Sequence, residues 1–294
     1  MSVGPQRRRV LPEIAMEVDD FIALVGRHLP ALLRPTPDRL RRKALDDYWT
    51  AGIWTEVAND DRHSHQNQVA AASQRASLIA TARENKTSLG RIGFDARQLH
   101  TLLHLTDERA PASYLLGWDG SQREAWRVQL RDHWFRALIW SDHQRDRSAA
   151  LYREWAGCHL DLDAISAAGP ALTELFLSTV QPIDLPHAWF RWAVNMAQEA
   201  RKIGSGNAVD NQHSAYLPNA DLFITADRRM ADALAIASGQ TPFPVAHTLL
   251  AIVEPLHTFA SRIGDLLQEQ VAPESTTGSR HEASRGRMSP PVTG

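Results

Sequence analysis

The stretch Asp221-Leu222-Phe223-Ile224-Thr225-Ala226-Asp227 restricts this chain more than any other. Leu222 to Thr225 is a bulky, β-prone apolar run, too short for a helix, and an aspartate stands on each side of it. Helical patterns flank it. Ala208 to Leu217 is closed by Pro218, and Asp227 to Ser238 is alanine-rich and opens on aspartate, a favoured N-cap. A helix–strand–helix unit is therefore expected over residues 208–238. Asp210 lies early in its first helix and Asp227 just beyond the C-terminal end of its strand. Ligands of open α/β sheets sit at that end. Two carboxylates converging there suit a hard cation such as Mg²⁺ or Mn²⁺. The plainer alternatives are that Asp227 is a cap and nothing more, and that Asp210 is a first-turn acid favoured by the helix dipole.

Elsewhere the chain reads as helix. Val10-Leu11 suggests the end of a strand. Pro12 then suits a first helical turn, and Ile14, Val18, Phe21, Ile22 and Val25 recur at helical spacing to about His28. Further helices are expected over 38–58, 60–87, Gln98–Leu105, Pro170–Val180 and Pro186–Lys202. The strongest carries Ala125, Trp126, Leu130, Trp134, Leu138 and Ile139 on one face. Val245 onward reads as a last strand and Pro255–Gln268 as a terminal helix. Beyond residue 271 the composition turns to Pro, Ser, Thr, Gly and Arg, and disorder is expected over 271–294.

The formal net charge is −2 and the pI about 6.7, which argues against a surface coated for tight, non-specific nucleic-acid binding. A local basic rim around an acidic site remains compatible with it. With Cys158 as the one cysteine, no disulfide forms within the chain. Arg7 to Arg9 is followed by Glu13, Glu17, Asp19 and Asp20 rather than a signal core. No run approaches the roughly 18 apolar residues of a membrane span. A cytoplasmic protein with no membrane partner is expected.

Gly206 to Met230 resembles the C-terminal half of PIN-like domains, a family of metal-dependent nucleases. Asp210 matches that family's helix-start aspartate, and Thr225-Ala226-Asp227 its Thr-x-Asp after a hydrophobic strand. Pro12 to Glu17-Val18 is similar to the family's proline followed by a helix carrying an acid. The family's first aspartate ends a strand ahead of that proline, and Met1 to Val10 has no counterpart.

The resemblance implies a helix-rich α/β fold with a small parallel sheet. It would form one domain over 1–270, with core pieces at about 8–36 and 204–253 and a large helical insertion at about 37–203. It implies divalent-metal-dependent hydrolysis of RNA phosphodiesters. Asp210, Asp227 and Glu17 would be catalytic ligands to Mg²⁺ or Mn²⁺, with Asp221 a further ligand. Thr225, Arg228 and Arg229 would meet the substrate. A protein inhibitor, as in toxin–antitoxin pairs, or a homo-oligomer would be possible partners. The missing first acid leaves a second reading open: a non-catalytic PIN-like protein that binds RNA or a protein partner, or an N-terminally truncated form. In a third reading the chain is an all-helical interaction protein and the strand is incidental.

Each acid also has a plainer reading. Taken alone, Glu17 reads as a solvated helix acid and Asp19 and Asp20 as surface residues. Arg228 and Arg229 read as a solvated face, and Asp221 as a strand-start cap. His100 and His104 have helical metal-site spacing but no third ligand. His63 and His65 lie in a polar run. His159, Asp161 and Asp163 alternate as in a strand or loop. Cys158 reads as a buried thiol, and Trp126 and Trp134 as core rather than base-stacking residues.

Overall fold

The computed structural model describes residues 12–50, 80, 83–104, 110–140, 147–199, 211, 213–252 and 259–271. The described part is a helix-rich α/β protein. Its main helices are α1 (Pro12–His28), α2 (Arg39–Thr50), α3 (Ala125–Phe135), α4 (Arg147–Ala156), α5 (Leu162–Ala167), α6 (Gly169–Glu174), α7 (Pro186–Glu199), α8 (Arg228–Ser238) and α9 (Phe259–Val271). Its strands are β1 (Leu103–His104), β2 (Arg123–Glu124), β3 (Leu222–Thr225) and β4 (His247–Leu250). None of the described helices is long and apolar enough to cross a membrane.

The core gathers around α1. Val18, Leu24 and Val25 are fully buried, and Ile14 and Phe21 nearly so. Helical spacing puts all five on one stripe, which packs against α4 and α7. Phe21 stacks on Trp134 with ring centroids 4.1 Å apart and on Phe176 at 6.1 Å. The reading of Trp126 and Trp134 as core residues therefore holds, and Cys158 is likewise buried.

The second layer is the β3–α8–β4 unit. β3 and β4 run parallel in the register Leu222↔His247 to Thr225↔Leu250. α8 buries Met230, Ala233, Leu234 and Ala237, an i, i+3, i+4, i+7 stripe, and lies along α7. Small side chains at Ala197 and Ala233 meet where the two helices approach. The expected strand from Val245 onward is thus β4, two residues later.

Three expectations need correction. Gln98–Leu105 is not one helix. A 3₁₀ stretch, Ala96–Thr101, gives way to β1, which pairs antiparallel with β2. Gln240 fastens the 3₁₀ stretch from outside: its Oε1 accepts from Leu99 N–H at 2.7 Å and its Nε2 donates to the Ala96 carbonyl at 2.9 Å. Pro170–Val180 is α6 followed by a wider π turn, Leu175–Thr179. Arg127 donates to the Phe176 carbonyl at 3.2 Å and also to that of Val180, satisfying the end of that turn. His159, Asp161 and Asp163 do not form a strand edge. Leu160 makes a single bridge to Leu33, and Asp161 caps α5 by accepting from the N–H groups of Asp163 and Ala164. The Val10-Leu11 strand end, His63 and His65, most of the 208–217 helix and the tail beyond 271 lie outside the described residues.

Candidate functional site

The chain turns from strand to helix at Thr225-Ala226-Asp227, and its local bonds are all short-range. Asp227 N–H donates to Thr225 Oγ1 at 3.0 Å. Asp227 Oδ1 accepts from the N–H groups of Arg229 and Met230 at 2.7 and 3.2 Å, which makes it the N-cap of α8. Capping uses one carboxylate oxygen. The side chain is exposed, and Oδ2 takes no hydrogen bond among the described residues. Arg228 and Arg229 are exposed in the first turn of the same helix. The C-terminal end of β3 thus presents one available carboxylate oxygen beside two cations and a helix N-terminus.

Asp221 stands at the opposite end of β3. Its carbonyl accepts from His247 N–H at 2.9 Å, so it starts the parallel ladder. The four steps to Thr225 span on the order of 13 Å of extended chain, too far for Asp221 and Asp227 to share one ion. Asp210 lies outside the described residues.

Glu17 is not a solvated helix acid: it is 0 % exposed. Its Oε2 accepts from the Tyr152 hydroxyl at 2.5 Å and lies 3.0 Å from Arg191 Nη2 and 3.7 Å from His133 Nε2. Its Oε1 is buried without a hydrogen-bond partner among the described residues. Burial pushes the Glu17 carboxyl above the ordinary carboxylate range, more strongly than Arg191 and the Tyr152 hydroxyl pull it down. Burial, with Arg191 and Arg136 nearby, pulls His133 down to about 3, so its imidazole is neutral at pH 7. Tyr152 is pushed up by burial and by Glu17.

One turn along, Asp20 Oδ2 lies 2.7 Å from His187 Nδ1 and accepts from the His187 N–H at 3.3 Å. Asp20 is therefore not a surface residue, whereas Asp19 is exposed and pairs with Arg42 at 3.3 Å.

The two expected ligand sites differ in their fit to a divalent cation. Asp227 offers one exposed, uncommitted oxygen, a single ligand of the several a divalent cation needs, beside two arginines. Glu17 is sealed against a guanidinium, which would repel a second cation, and it fits poorly. Among the described residues no group of three or more His, Cys, Asp or Glu side chains is arranged to hold a metal ion.

Sequence reasoning missed the partners on α7. His187, Arg191, Asn195 and Glu199 follow one another at four-residue intervals and form a single polar ridge on a helix whose other positions are mostly buried and apolar. Arg191 inside Trp189-Phe190-Arg191-Trp192 was the available signal, because a cation in such a run needs a buried acid. The chain matches no family model, no curated protein and no solved structure.

Proposed function

We propose that this chain is a PIN-like protein that hydrolyses RNA phosphodiesters with a divalent cation, Mg²⁺ or Mn²⁺, at the C-terminal end of β3. One observation carries the reading. Asp227 follows a parallel strand of a β–α–β unit, is exposed, and caps α8 with only one of its two oxygens. Asp210, matched to it in the sequence, is the second ligand of the proposal. Bound there, the cation would supply an activated water and offset charge on the leaving oxygen. The Thr225 hydroxyl accepts from the Asp227 backbone N–H and holds the turn that carries Asp227. Arg228 and Arg229 project from the helix N-terminus where a phosphate would lie, and RNA is favoured over DNA by the family resemblance alone.

The environment of Glu17 favours a second reading, a non-catalytic PIN-like protein that binds RNA. Of the four acids expected as ligands, Glu17 is committed to Tyr152 and Arg191 and Asp221 stands at the opposite end of β3.

Cleavage of single-stranded RNA with Mn²⁺ or Mg²⁺ separates the two. The wild type is compared with an Asp210→Asn, Asp227→Asn double variant. Metal-dependent cleavage lost in the variant supports the nuclease. RNA retention without cleavage by either folded protein supports the binding protein.

A further inference from the structure

β3 pairs with β4 along one edge. In the register Phe223↔Thr248, His247 N–H donates to the Asp221 carbonyl at 2.9 Å and Ala251 N–H to the Thr225 carbonyl at 2.8 Å. A parallel ladder uses alternate residues, so Asp221, Phe223 and Thr225 turn their backbone groups towards β4. Leu222 and Ile224 turn theirs the other way, and among the described residues nothing pairs with that outer edge. Open edges are usually guarded by charge, proline or a bulge. Leu222-Phe223-Ile224-Thr225 carries neither charge nor proline, and its register with β4 is unbroken.

This edge is complementary to itself. Turned antiparallel about a two-fold axis at Phe223, Leu222 of one copy faces Ile224 of the other, and each such pair exchanges N–H···O=C bonds in both directions. The ends match too. Asp221 is exposed at the start of β3, whereas exposed Arg228 and Arg229 and the positive end of α8 stand beyond its finish and outweigh the capping Asp227. Antiparallel pairing lays the acidic end of each copy against the cationic end of the other. On one face Leu222 and Ile224 pack with Leu249 and Ala251, and the pairing sets this apolar cluster beside its copy. Any extended peptide satisfies the bonds; a second copy satisfies the charges as well.

We infer that the outer edge of β3 is the contact between two copies of this chain, joined antiparallel into one continuous sheet. The contact requires neither the cation site nor RNA. It sets Asp221 directly opposite Thr225 of the other copy, at the roughly 4.5 Å Cα spacing of a non-hydrogen-bonded pair, which a disulfide can span. Within one chain the same positions are on the order of 13 Å apart, which a disulfide cannot span.

The test is sedimentation of the full-length protein over a range of about 1 to about 100 µM, where a concentration-dependent dimer is expected. Under mild oxidation the Asp221→Cys, Thr225→Cys double variant is expected to form a covalent dimer. A mixture of the two single variants does so as well, and neither single variant does alone. Leu222→Pro stands at the first residue of β3, where the ladder with β4 does not use the N–H. It halves the bonds between the copies and is expected to weaken the dimer on the order of 30-fold. Arg228→Glu with Arg229→Glu, both at exposed positions, is expected to weaken it on the order of tenfold, and adding Asp221→Arg restores it. Circular dichroism establishes that each variant is folded. A monomer at every concentration overturns the inference, and slow hydrogen exchange of the Leu222 and Ile224 amides in that monomer assigns the edge to another segment of the same chain. A dimer left unchanged by both Leu222→Pro and the charge reversal places the contact elsewhere and overturns the inference equally.

Discussion

Arg191→Met keeps much of the apolar stem of the side chain and removes the guanidinium 3.0 Å from Glu17. Glu17, 0 % exposed, then has two courses. Staying ionised beside no cation costs roughly 3–5 kcal/mol, the usual penalty for breaking a buried pair. Taking up a proton costs about 1.36 kcal/mol for each pH unit above the ordinary carboxyl value of 4.5. That is about 3.4 kcal/mol at pH 7 and about 1.4 kcal/mol at pH 5.5. The smaller cost sets the ceiling, so the variant loses at most about 3 kcal/mol at pH 7 and at most about 1.4 kcal/mol at pH 5.5.

The sign follows from the wild type. Burial already raises the Glu17 carboxyl, so the folded chain keeps a proton that the unfolded chain releases. That contribution is complete below 4.5 and is lost as pH rises through the folded value. Removing Arg191 raises the folded value further and extends the loss to higher pH. Urea unfolding of both proteins at pH 7 and 5.5 reads the difference directly. An equal loss at the two pH values, or none at pH 7, refutes the account of Glu17 as a buried acid balanced by Arg191. Adding Glu17→Gln to the variant should recover most of the stability at pH 7.

Three further outcomes are expected. Arg127→Ala strands the Phe176 and Val180 carbonyls at the end of the π turn and should cost about 2–4 kcal/mol in urea unfolding, with Arg127→Lys recovering only part. His133, depressed to about 3, refuses a proton that the unfolded chain accepts below 6.5, so stability falls as pH drops through that interval. The limiting slope is about 1.4 kcal/mol per pH unit, and His133→Gln should flatten it in unfolding series from pH 6.5 to 4.5. Asp227→Ala removes the cap of α8 and should cost about 1 kcal/mol, whereas Asp227→Asn keeps an acceptor and should melt within a degree or two of the wild type. This makes Asp227→Asn the appropriate variant for testing the cation site.

The parts of the fold that were legible are those whose causes are local. α1 begins at Pro12 and ends at His28 as its periodicity indicates. β3 is the four-residue apolar run between aspartates, and α8 follows its N-cap. The helix expected at Gln98–Leu105 gives way to β1 because its pairing partner, β2 at Arg123–Glu124, is supplied from elsewhere in the chain. The environment of Glu17 was illegible for the same reason. Tyr152 lies 135 positions further along the chain, and no helical or strand period links the two. A period of four does link His187, Arg191, Asn195 and Glu199. Trp189, Phe190, Ala193, Val194 and Ala197 dominate the pattern of that helix and mask it.

That ridge also changes what α7 does in the protein. The sequence reading places residues 37–203 outside the core, as an insertion, yet α7 packs against both α1 and α8. Each polar residue of the ridge meets a different anchor: His187 meets Asp20, Arg191 meets Glu17, Asn195 meets Asn211, and Glu199 meets Asn195 and Asn85. Two acids of α1, Glu17 and Asp20, therefore attach α1 to α7, and one turn further on the same ridge meets Asn211, ahead of β3. The N-terminal piece and the β3–α8–β4 unit are joined through this helix. Its apolar positions supply the adhesion, which is non-directional. Its polar positions fix the register, because a one-turn slip along the ridge would leave Glu17 buried without Arg191.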